Sequence, residues 1–206
     1  MPTTNPDPPK PLVLFIHGIA APRFVFLYLK WYLWRSGFRS RTFGYRSVFK
    51  TIPIHAERFV ATLKQLDEDP NIHEFHIVAH SMGGIVTRQA LLQFRPNKLK
   101  RFLMLATPNK GSSAARKMSA SIFRFSKTLK QISDEEGSYV RELGFPEGIE
   151  VGAIHASVDR VVTRESSRPL PEAPFLEFYS GHNDLLIRRT TAQAIVQFLE
   201  TGSFQA

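Results

Sequence analysis

Six short strand-like segments, most of them continuous apolar runs alternating with stretches of helical character, confine this chain to a narrow set of folds. Residues 12–16 are an unbroken run of Leu, Val, Phe and Ile, as in a strand buried on both faces. Further strands are read at 39–45, 74–79, 101–106, 150–155 and 175–179. Helices are read at 23–36, 54–66, 83–94 and 190–200, with Gly37 and Gly202 placed to end the first and the last. Regular alternation of buried strands with helices predicts an α/β domain built on a mostly parallel sheet of about six strands.

The domain is expected to span 12–206, after a polar, proline-rich tail over 1–11 that is expected to be disordered. Residues 107–148 are less regular and read as a lid-like insert, with one helix over 113–132. The apolar fraction of 43% suffices for a sizeable core. With no cysteine, thiolate metal sites and cysteine nucleophiles are excluded. The tail carries no basic start followed by an apolar run, and the longest apolar stretch, 24–34, is too short to span a bilayer. A cytoplasmic protein, at most peripheral to a membrane, is the expectation.

One stretch carries chemistry. The strand ending at Ala79 passes through His80-Ser81-Met82-Gly83 directly into a helix. That is the arrangement of a nucleophile elbow, with Ala79 in place of its first glycine. A sharp strand-to-helix turn lifts the serine hydroxyl above the sheet, and the helix N-terminus behind it favours developing negative charge. Strand and helix approach closely there, so the positions two residues to either side must be small; Ala79 and Gly83 meet that demand. A second element, His17-Gly18-Ile19, follows the first strand. Acyl transfer needs two backbone N–H groups aimed at an oxyanion, and Ile19 and Met82 are the candidates.

These motifs resemble those of the α/β-hydrolase superfamily. The chain is most similar to small bacterial lipases and esterases with an Ala-His-Ser-Met-Gly elbow and a His-Gly-Ile oxyanion loop. It also resembles short bacterial hydrolases with a segment like Thr107-Pro108-Asn109-Lys110-Gly111-Ser112. The resemblance implies a minimal α/β-hydrolase fold and a chain order of serine, acid, histidine. The acid follows the penultimate strand and the histidine follows the last. On the strands read above, those positions fall on Asp159 and on His182. His155 on a strand, Asp184 beside His182, and Asp134 in the insert are the competitors.

The implied activity is cleavage of carboxylic esters through an acyl-enzyme on Ser81, with no cofactor and no metal. The histidines show no His-Glu-x-x-His pattern, and His73 and His76 would point to opposite faces of a strand. The same triad would serve a thioesterase or an acyltransferase, and a hydrolase fold can also carry a non-catalytic binding protein. The expected substrate is a small-molecule or lipid ester. The net charge of +9 favours acidic partners. No base-reading motif accompanies it, so nucleic acid is not expected.

Two further segments bear on partners. Over 114–132, Met118, Ile122, Phe125, Leu129 and Ile132 form one apolar stripe among basic residues, so a basic amphipathic helix on an anionic membrane competes with a packed core helix. The helix over 23–36 carries Phe24, Phe26, Tyr28, Trp31, Tyr32 and Trp34 all round its circumference. It reads either as the wall of an acyl pocket or as a core helix with an aromatic partner surface.

Overall fold

A computed structural model describes residues 11–48, 50–121 and 126–205. The expected tail over 1–11 therefore lies, Pro11 aside, outside the described residues. The strands are β1 (Leu12–Ile16), β2 (Arg39–Phe43), β3 (Phe75–His80), β4 (Leu99–Leu105), β5 (Glu150–Ala156) and β6 (Phe175–Phe178). They form one six-stranded sheet in the order β2-β1-β3-β4-β5-β6, every neighbouring pair parallel. The helices are α1 (Leu27–Arg35), α2 (Ile52–Glu68), α3 (Met82–Gln93), α4 (Ser113–Ala120), α5 (Lys127–Gln131), α6 (Tyr139–Glu142), α7 (Arg164–Ser167) and α8 (Arg189–Thr201). Short 3-10 turns lie at Arg23–Phe26 and Asp184–Ile187.

Period-two alternation in β1 explains the layering. Leu12, Leu14 and Ile16 face Ile52, Ala56, Phe59 and Leu63 of α2 and Ile85 and Val86 of α3. Val13 and Phe15 face the other way, onto Phe26, Leu29 and Leu33 beside Ile195 and Phe198 of α8. A strand with a core on each face must be apolar at every position, hence the continuous run. Because β2 and β3 flank β1 on opposite sides, the winding reverses between β1 and β3. Ligands of open α/β sheets bind outside the strand ends at such a switch point. In register, Ile16 lies beside Ala79, so the loops leaving β1 and β3 emerge side by side.

Three helix readings change. α2 starts at Ile52, not 54, because Pro53 fits the first helical turn, where its missing N–H costs nothing. The helix over 23–36 begins as a 3-10 turn. The single helix over 113–132 is corrected to two: α4 ends at Ala120, capped by Ser121, and the Ser126 hydroxyl accepts the Leu129 N–H to start α5. A continuous amphipathic stripe is thereby broken. Leu129 and Ile132 enter the core and Met118 stays exposed, whereas Ile122 and Phe125 lie outside the described residues. The α4–α6 segment is tied down: Thr128 Oγ1 donates to the Lys50 carbonyl, and Gln131 Oε1 accepts the Ile52 N–H.

Arg88 of α3 anchors the same segment. Its guanidinium is buried, donates to the carbonyls of Asn109, Leu143 and Gly144, and stacks 3.8 Å from the Phe145 ring centroid. Burial pulls its pKa down to about 9. Removing the side chain strands several buried carbonyls and leaves a cavity. Arg88→Ala should therefore lower stability by on the order of 3 kcal/mol, read from the urea midpoint. An unchanged midpoint would show that the segment is held by other contacts.

Candidate functional site

Ser81 sits between β3 and α3 with φ 54° and ψ −129°, a backbone region that side chains other than glycine rarely adopt. The strain is held from both sides: the Ser81 N–H donates to the Leu105 carbonyl at 2.8 Å, and the Ser81 carbonyl accepts the Gly84 N–H at 3.0 Å. Crowding explains the small neighbours. A Cβ on Gly83 would lie 2.5 Å from the Ile16 carbonyl oxygen, and one on Gly18 would lie 2.9 Å from Ser81 Cβ. The end of β1 is thus pressed against the turn that bears Ser81, and Ile19 follows directly on Gly18. Met82 opens α3 on the other side of Ser81.

The loops after β5 and β6 continue the sheet toward this point. Ser157 N–H donates to the Phe178 carbonyl and Val158 N–H to that of Ser180. They bring Asp159 and His182 together, with His182 Nδ1 donating to Asp159 Oδ2 at 2.6 Å. Asp159 Oδ1 accepts the N–H groups of Val161 at 2.7 Å and Val162 at 3.0 Å. The carboxylate side chain is wholly withdrawn from solvent, whereas the imidazole keeps 14% of its surface. Burial pushes the Asp159 pKa up, but the His182 bond and charge and the two amides outweigh it, so the group rests below its ordinary value.

His80 ties this pair to the Ser81 turn. Its Nε2 donates to the His182 carbonyl at 3.1 Å, and the two rings lie 4.8 Å apart. Sequence reading gave His80 no role, because its partner lies 102 residues away. Among the described residues Ser81 Oγ and His182 do not share a hydrogen bond. The competitors lie elsewhere: His155 is buried on β5 against Phe175, and Asp134 pairs with Arg116 at 2.7 Å. Asp184 accepts the Gly181 N–H at 3.0 Å.

Two buried histidines make the fold acid-sensitive. Burial pulls His76 and His80 from 6.5 down to about 3, and at His76 the charges of Arg101 and Lys100 add to it. Below pH 6.5 the unfolded chain takes up protons that the folded chain refuses until about pH 3. Stability is therefore full above that window and is lost as pH falls through it. By about pH 5 each histidine should cost roughly 2 kcal/mol, at about 1.4 kcal/mol per pH unit. Urea titrations at several pH values test this. A slope that His76→Leu leaves unchanged would contradict it.

The sequence matches the family model described as alpha/beta hydrolase fold over residues 11–141. The chain belongs to that family. No curated protein matches it in sequence. Among solved structures it is similar to the mature lipase BlEst2 of Bacillus licheniformis, with a TM-score of 0.73 and 16% identity over 98% of this chain and 96% of that one. A carboxylesterase structure from Nitrososphaera gargenis gives a TM-score of 0.64 and 20% identity, covering 95% and 92%. Est1E from Butyrivibrio proteoclasticus gives 0.67 and 16%, covering 98% and 91%. At these identities the likeness speaks for the fold. Among the described residues, no helix is long and apolar enough to cross a membrane.

Proposed function

We propose that this α/β-hydrolase cleaves carboxylic esters through an acyl-enzyme on Ser81. The observation that carries the reading is the 2.6 Å Asp159–His182 pair, delivered by the last two strand ends to the strained Ser81 turn. His182 takes the Ser81 proton as Oγ attacks the acyl carbonyl, then returns it to the leaving alcohol. Asp159 holds the imidazole with Nδ1 protonated, which leaves Nε2 free to accept, and it stabilises the imidazolium that forms. The N–H groups of Ile19 and Met82 receive the oxyanion. Water then attacks the acyl-enzyme by the same proton route in reverse. The hydrogen bond from Ser81 Oγ to His182 Nε2, which the two do not share in the free protein, forms when substrate arrives. His80 is a positioning residue, acting through the His182 backbone. The lipase and esterase names of similar structures agree with an ester substrate. A fluorophosphonate probe tests the proposal directly: the intact protein should gain one adduct, located on Ser81 by peptide mass spectrometry. No adduct, or one on another serine, overturns it.

A further inference from the structure

Helix α1 and the 3-10 turn before it have two unlike flanks. Phe26, Leu29 and Leu33 are fully buried against the sheet. Phe24, Leu27, Trp31 and Trp34, at spacings of three, four and three, are 67%, 63%, 49% and 69% exposed. Spacing of that kind gathers them into one stripe along the helix. The helix is thus not a pocket wall but a core helix with an aromatic surface open to a partner, one of the two readings of its sequence, and contiguous exposure of four large apolar side chains marks an interaction surface. Ile187, on the 3-10 turn that packs against α1, adds a further residue at 66% exposure.

Charge indicates what covers this face. Between residues 11 and 56 there are seven lysines and arginines and no acid. Arg35 is exposed and lies 5.5 Å from the Trp31 ring centroid. With Tyr28, Trp31, Tyr32, Ser36 and Arg189 it lines a shallow cavity of about 530 Å³. Arg188 and Arg189, both exposed, follow Ile187. The acid of that turn, Asp184, is engaged by the Gly181 N–H. Tryptophan and tyrosine beside arginine, on a face with an apolar stripe, match the boundary between acyl chains and anionic headgroups.

We infer that the α1 face, built on Phe24, Leu27, Trp31 and Trp34 and flanked by Arg35, Arg188 and Arg189, docks on bilayers that contain anionic lipid. The apolar side chains enter the acyl boundary and the arginines pair with lipid phosphates. This surface is separate from α4 and α5, and it does not depend on the Ser81 chemistry.

Trp31 and Trp34 are the protein's two tryptophans, so selectively excited tryptophan fluorescence reports this face alone. Vesicles of phosphatidylcholine and phosphatidylglycerol in equal parts should shift the emission to shorter wavelength and sediment the protein. Phosphatidylcholine alone should do so at least ten-fold more weakly, and salt should narrow the difference, since exposed charges are screened beyond about 10 Å at 0.1 M. Brominated acyl chains should quench the wild-type emission, an observation that needs no variant. Replacing Phe24, Leu27 and Trp34 together by serine should cut vesicle binding at least ten-fold while hydrolysis of a soluble short-chain ester is unchanged. Arg35→Gln with Arg188→Gln and Arg189→Gln should remove the preference for anionic vesicles.

Three results would overturn the inference. One is emission indifferent to both vesicle types. Another is vesicle binding that survives the serine variant, which would assign it to another face. The third is a lipid-free dimer in sedimentation that the serine variant dissolves, which would mean that a second copy covers the stripe.

Discussion

Ser81→Ala should lower hydrolysis of a soluble short-chain ester by 10³-fold or more and abolish fluorophosphonate labelling, while the protein stays folded. Loss of the nucleophile removes the covalent route and leaves only the weak catalysis of the oxyanion donors and of binding. The backbone predicts a second signature. The φ of 54° at Ser81 burdens serine and alanine alike, so alanine brings little relief. Glycine adopts that region freely. Ser81→Gly should therefore be as inactive as Ser81→Ala and more stable than wild type by about 1 kcal/mol, the usual scale of such strain. Loss of activity with gain of stability is the pattern of a strained functional position. A Ser81→Ala enzyme with near-wild-type turnover would end the assignment.

Local crowding made the Ser81 turn readable. The small residues are required within a few positions of the serine, where strand, turn and helix meet, so chain order alone exposes them. Asp159 and His182 were singled out by the resemblance, which sets an acid after the penultimate strand and a histidine after the last; parallel topology sends both strand ends to one edge, and the two side chains meet there at 2.6 Å. Contacts across the chain left no such trace. His80 reaches the His182 backbone and Arg88 reaches the carbonyls of residues 143 and 144, yet in sequence each is only a polar residue near a helix start or within a helix.

The segment after β4 shows how apolar spacing misleads. Its spacing runs on through 113–132, but Ser126 captures the Leu129 N–H and starts a new helix there. A local side-chain bond starts the helix anew, and of the stripe's described residues Leu129 and Ile132 enter the core while Met118 stays exposed. For α1 the spacing tells the truth: its aromatics lie all round the helix, so one face alone does not bury them, and Phe26 joins the buried flank while Phe24, Trp31 and Trp34 line an exposed one. Composition gave the amount of apolar surface, and only packing showed which part of it stays open.

Asp159→Asn should preserve the fold and lower kcat by about 10³–10⁴-fold with little change in KM. The hydrogen bonds fix the reason. Oδ1 is held by the N–H groups of Val161 and Val162, so an amide at this position keeps its oxygen there and turns its NH₂ toward His182 Nδ1. Nδ1 must then accept, which moves the imidazole proton to Nε2, facing Ser81. A protonated Nε2 cannot take the serine proton, so attack is slowed although substrate still binds. Asp134→Asn is the control, because it removes an acid whose partner is the solvent-exposed Arg116. Such an exposed pair is screened by water and has no bearing on the tautomer. Steady-state kinetics of both variants, each checked by its urea midpoint, decide the matter. Full activity in Asp159→Asn with collapse in Asp134→Asn would reverse the assignment of the acid.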